Sequence, residues 1–118
     1  MNWILGGFDG FMNALIAFVV MDYFTGFMAA FFQKTLSIAK EFKEIYKKIA
    51  IFCLVGVSHI IDVQLIGNNN VLRNAVVLFY LSGEGFSIIE NIAVIGVPIP
   101  KGLIEILKKL RNKADENR

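Results

Sequence analysis

Residues 83–100 read GEGFSIIENIAVIGVPIP. The run is apolar for most of its length, yet it carries Glu84 and Glu90, and it stops at Gly96 followed by Pro98 and Pro100, which cannot continue a helix. Extended upstream to about residue 75, it reaches the roughly 20 apolar residues that a helix needs to cross a hydrocarbon core about 30 Å thick, at about 1.5 Å of rise per residue. The rest of the chain points the same way. Its 118 residues are 56% hydrophobic and 19% charged, with a mean hydropathy of +0.60, well above the apolar share of soluble domains.

Two more stretches qualify as spans, at about residues 11–32 and 49–66, to set beside 75–97; the second is the shortest. The expected fold is therefore an all-α membrane protein with three transmembrane helices, a single domain over residues 1–118. GNNN at 67–70 reads as a tight polar turn, because Gly and Asn tolerate positive φ, and it makes spans two and three a hairpin. Residues 34–48, between spans one and two, hold five lysines and two glutamates, with Ile38, Phe42, Ile45, Tyr46 and Ile49 at helical spacing. In the tail, residues 101–118, Leu103, Ile106, Leu107 and Leu110 share one helical face and the other face is basic. Each of these amphipathic segments either lies on the membrane surface or packs on its own protein. Lys40, Lys43, Lys47, Lys48, Lys108 and Lys109 are the expected membrane-surface basic groups.

Charge sets the orientation. Lys and Arg of short loops stay on the cytoplasmic side, and the twelve basic residues divide as five in the first loop, six from Lys101 to Arg118, and Arg73 alone between spans two and three. Three crossings with the loop and tail inside require the N-terminus outside. Residues 1–33 contain no Lys or Arg, so they lack the basic start of a secretory signal, and the segment is expected to be retained.

No phosphate-binding loop, dinucleotide fingerprint or nucleophile elbow occurs, and one His with one Cys makes no usual metal set. An enzyme, a cofactor, a metal site and a nucleic-acid partner are all unexpected. Cys53, in an apolar run, is expected to pack.

The acids carry what function the residues themselves reveal. Asp22 lies near the middle of span one, Asp62 toward the outer end of span two, Glu84 near the middle of span three and Glu90 further in. A charged side chain facing lipid at the bilayer centre costs about 2.5 to 3.5 kcal/mol on insertion scales, so these groups need partners, water or protonation. At about 100° per residue, Arg73, Tyr80, Glu84, Ser87 and Asn91 form one stripe of span three, flanked by Gly83 and Glu90. Asp22 shares a face with Thr25, Gly26 and Ala29, small enough for another backbone to approach. Gly56, His59 and Asp62 follow at three-residue steps; a local His59–Asp62 hydrogen bond is the preferred reading over a proton relay. Arg73 can snorkel outward or reach toward Asp62. Three helices make a thin bundle, which either hides these groups inside a monomer or presents them at subunit contacts, and its small size favours an oligomer. The expected oligomer-contact or lumen residues are Asp22, Thr25, Gly26, Asp62, Arg73, Tyr80, Gly83, Glu84, Ser87, Glu90 and Asn91.

LRNAVVLFYLSGEGFSIIENIAVIGVPIPKGL, residues 72–103, resembles the third span of the toxin secretion/phage lysis holins, in which an acidic residue, Ser-Ile, a polar pair such as Glu-Asn and a Gly-x-Pro-x-Pro ending recur. MDYFTG is similar to their Asp-x-x-Thr-Gly element, and Asp62 sits where their second span often has Asp. The likeness runs from about residue 14 to 110 and is weakest in the first loop, where Glu41 and Glu44 replace glycines and favour helix. It implies a phage-encoded protein that accumulates in the bacterial cytoplasmic membrane and oligomerises to form lesions, through which an endolysin or a large toxin leaves. The partners it implies are the lipid bilayer, further copies of the chain, an endolysin or secreted toxin, and an antiholin. The competing readings are a small oligomeric ion channel or proton-coupled transporter subunit, and a non-conducting antiholin or scaffold.

Overall fold

In the computed structural model residues 9–67 and 70–116 are described. Asn68 and Asn69 of the expected turn, and Arg118 of the basic tail, lie outside them.

Four helices account for nearly all of the described chain. Helix α1 (Gly10–Phe32) opens at Asp9, whose side chain accepts from the Met12 N–H at 3.0 Å, and closes at Gln33 before Lys34 turns left-handed at φ 60°. Helix α2 (Ile38–Ile60) is capped by Ser37 and runs straight into a π-helical turn, Ile61–Ile66, that ends at left-handed Gly67. Helix α3 (Val71–Ile95) ends at Gly96, φ 107°, where only a glycine is unstrained. After Pro98 and Pro100, helix α4 (Lys101–Glu116) completes the chain. Three of these segments are long and apolar enough to cross a membrane: Gly10–Phe32, Ile38–Leu65 and Val71–Ile95.

Helices α1 and α3 form the main contact, with α2 laid across both at the site described below. Met12, Leu15 and Val19 of α1 meet Val55 of α2 and Val77, Leu78 and Leu81 of α3 in one buried cluster. The outer surface of α1 and of α2 beyond Lys48 is apolar. Phe24, Phe31, Phe32, Leu54 and Val57 are exposed, as suits side chains whose solvent is lipid.

One segment is arranged differently from the expectation. Residues 34–48 are not a separate surface helix, because no Gly or Pro interrupts the chain between Ile38 and Ala50, and the lysine-rich segment becomes the first turns of α2. Of the two readings of the tail, packing on its own protein is the one observed: α4 turns back along α3, where its apolar stripe finds cover. Leu107 and Ala114 are buried there.

Candidate functional site: a buried charge cluster

The three long helices each contribute one charge to a single cluster. Asp22 comes from α1, Glu84 from α3 and Lys48 from α2, where the unbroken helix carries the lysine inward. Lys48 Nζ donates to Asp22 Oδ2 at 2.6 Å and to Glu84 Oε1 and Oε2 at 3.2 and 3.1 Å. The side chains are 13% (Lys48), 9% (Asp22) and 6% (Glu84) exposed. Glu44, one turn before Lys48, stands at 3.9 Å on the half-buried rim.

Asp22 is held on both oxygens. Its Oδ1 accepts from Asn91 Nδ2 at 3.0 Å, and the same amide group reaches Thr25 Oγ1 at 3.0 Å, while the Thr25 hydroxyl donates to the Met21 carbonyl at 2.8 Å. A Cβ on Gly26 would lie 3.5 Å from that amide, an ordinary contact, so Gly26 sits beside the cluster without being sterically required. Two carboxyl groups thus share one ammonium, and the Asn91 amide supplies Asp22 with a further donor. Two cavities, each with charged and polar side chains in its lining, flank the cluster. One of about 250 Å³ is lined by Asp22, Gly26, Glu41, Glu44, Lys48, Ser87 and Asn91; the other, about 420 Å³, by Glu44, Lys47, Lys48, Tyr80, Gly83, Glu84 and Ser87. Both have the size and the polar groups to hold water against the cluster.

A second polar cluster lies at the other end of α3. Asp62, fully buried, accepts from the backbone N–H of Leu72 at 3.2 Å and of Arg73 at 2.7 Å, so span two caps the start of span three. Asn70, at φ 60°, gives that helix no side-chain cap of its own. Arg73 is fully buried and donates to Asp9 Oδ2 at 2.9 Å and to Asn74 Oδ1 at 3.0 Å. Burial alone would push the Asp9 carboxyl up, but the hydrogen bond and charge of Arg73 and the Met12 N–H hold it below the ordinary carboxylate value. His59 is not paired with Asp62: its Nδ1 makes a 2.7 Å hydrogen bond with Asn70 Oδ1, across the turn.

The residues singled out in the sequence therefore separate. Asp22, Thr25, Glu84 and Asn91 meet in the first cluster, with Gly26, Tyr80, Gly83 and Ser87 along its cavities; Asp62 and Arg73 belong to the second; Glu90 is exposed on α3, apart from both. Lys40, Lys43 and Lys47 are exposed on α2, and Lys108 and Lys109 on α4. Lys48, grouped with them by composition, is instead the cation of the buried cluster, because helical periodicity turns it toward α1 and α3. Its role was overlooked, although spans one and three carried mid-span acids with no basic residue of their own to match them. Asp9 was overlooked as well, and its cue was a helix-capping residue at the start of span one. Among the described residues no group of His, Cys, Asp and Glu is arranged to hold a metal ion.

Comparison with known proteins adds ancestry to this geometry. The profile of the bacteriophage holin family matches residues 1–112. An uncharacterized protein of Listeria monocytogenes is 40% identical over 109 residues, covering 92% of this chain and 74% of its own. An uncharacterized 14.9 kDa protein of Clostridium perfringens is 36% identical over 112 residues, 95% of this chain and 85% of its own. The uncharacterized protein YqxH of Bacillus subtilis is 31% identical over 116 residues, 98% and 81% of the two chains. No solved structure matches the chain.

Proposed function

This chain belongs to the bacteriophage holin family, and on that premise we propose that it works in the bacterial cytoplasmic membrane, oligomerising into lesions that let an endolysin or a large toxin pass. The orientation it takes there, N-terminus outside and C-terminus inside, follows from the distribution of lysines and arginines.

The observation that carries the reading is the Asp22–Lys48–Glu84 cluster. A single small protomer holds three mid-span charges against one another, which lets it rest in a bilayer at tolerable cost. The same charges, with Ser87 and Asn91, sit beside the two cavities, so a modest displacement of α2 admits water to them or hands them to a neighbouring subunit. A switch of this kind is two-state by construction, since the pairing is either made within the chain or lost.

The test is inducible expression in a bacterium that also carries a cytoplasmic endolysin without an export signal of its own, with a potential-sensitive dye and culture turbidity followed together. Abrupt depolarisation followed by lysis that needs both proteins is the expected result. Depolarisation without endolysin-dependent lysis would replace the proposal with an ion channel, and silence at verified membrane levels would replace it with an antiholin or scaffold role.

A further inference from the structure

Helix α4 is docked on α3 by specific contacts. Leu107 fills the notch at Gly85, where an added Cβ would come within 2.7 Å of its Cδ2. Deeper in, Arg111 Nε donates to Ser82 Oγ at 3.1 Å, and its guanidinium lies over the Phe79 and Phe86 rings at 5.1 and 5.9 Å. Ser82 is near the middle of α3, a segment long enough to cross a membrane, so α4 runs back to the level of the middle of that helix.

The far face of α4 conflicts with lipid at that level. Lys108, Lys109 and Lys113 are exposed, all placed beyond the first turn, and Glu105 lies beside them. Lys101 is close enough to the helix end to snorkel to the headgroups, but Lys109 and Lys113 flank Arg111 at the level of Ser82 and Phe79 and cannot. The aromatic and aliphatic surface of α1 and of α2 beyond Lys48, with Phe24, Phe31 and Val57 exposed, meets no such conflict; the exposed Lys40, Lys43 and Lys47 all belong to the first turns of α2. The protomer is thus amphipathic in cross-section.

We propose that the α4 side of the protomer faces water enclosed by further copies of this chain, so that the basic face of α4 lines the aqueous space of the assembled oligomer while α1 and the part of α2 beyond Lys48 face lipid. This deepens the reading of the chain as a self-assembling membrane subunit, and rests on it, by naming the surface that meets water. A lining dominated by lysines would favour anions over cations.

The experiment uses the full chain in bacterial membrane vesicles, with Cys53→Ser as background. Lys109→Cys and Lys113→Cys are reacted with a charged, membrane-impermeant maleimide and compared with Val57→Cys; separately, Gly85→Cys with Leu107→Cys is oxidised to trap docked α4. Because hydrocarbon suppresses the thiolate, the two α4 sites are expected to react at least about 10-fold faster than Val57→Cys, and the 85–107 disulfide is expected to form within one chain. A disulfide without labelling at 109 and 113 means that α4 is docked but dry, and overturns the proposal. Labelling without the disulfide means that α4 has left α3 for the membrane surface, and overturns it equally. Neither readout requires lysis, so a failed permeabilisation test and a failed accessibility test point to different errors.

Discussion

Replacing Lys48 by Met removes the one cation shared by Asp22 and Glu84 while preserving most of the side-chain volume. Both carboxylates then remain more than nine-tenths buried with their Nζ partner gone from 2.6 and 3.1 Å. Breaking a buried ion pair from one side costs about 3 to 5 kcal/mol, which at about 1.4 kcal/mol per factor of ten is two to three and a half orders of magnitude in the folded-to-unfolded ratio. Asn91 still serves Asp22, and the flanking cavities admit water, so a value near 3 kcal/mol is expected. Helicity followed during titration of reconstituted protein with a denaturing detergent measures it. Two companions make the result specific. Lys47→Met, whose side chain is 61% exposed and 3.9 Å from Glu44, should change stability by no more than about 0.5 kcal/mol. The triple change Asp22→Asn, Lys48→Met and Glu84→Gln should recover most of the loss, because a buried charge set replaced by neutral groups of similar volume is often neutral. If Lys48→Met were as stable as the parent, or no less stable than Lys47→Met, the cluster would not be holding the helices together.

Three further outcomes follow from the geometry. The Asp9 carboxyl is depressed in the folded protein, so its pairing with Arg73 stabilises above the ordinary carboxylate value of 3.8 and is lost as pH falls through the folded value; Asp9→Asn, which keeps the cap, should lower the thermal midpoint near neutral pH and converge with the parent in acid, by less than about 1 kcal/mol since Asp9 is 48% exposed. Asp62→Ala uncaps α3 and should cost about 1 to 2 kcal/mol with faster hydrogen exchange at the Leu72 and Arg73 amides, most of which Asp62→Asn restores. Gly83→Ala, with 3.5 Å of room beside Arg111, should gain up to about 1 kcal/mol of helix propensity, whereas Gly85→Ala should gain nothing in thermal stability because its Cβ would crowd Leu107 at 2.7 Å and Phe18 at 3.2 Å.

The number of spans was legible because lipid acts on each segment separately: any run of about 20 apolar residues is a candidate, whatever its neighbours do. The polar stripes were legible for the same reason, as a period of 3.6 residues is local, and they singled out Asp22, Glu84 and Asn91, which the structure brings together. The ends of elements were less so. Composition divides residues 34–48 from 49–66 at a change in polarity, but the backbone answers to helix propensity, and with no Gly or Pro between Ile38 and Ala50 the helix continues through the change.

What the sequence by itself determined, then, is a three-span helical membrane protein of the holin kind, with acids on the polar faces of its helices. Only the tertiary structure decided which cation meets those acids, that Asp62 caps α3 while His59 turns to Asn70, and that α4 returns along α3. Those choices depend on how far one helix slides and rotates against another, with partners 26 and 36 residues apart in the chain at Lys48. No local period encodes such a register; it is set by packing small residues such as Gly85 against side chains such as Leu107, and by the cost of leaving any buried charge alone.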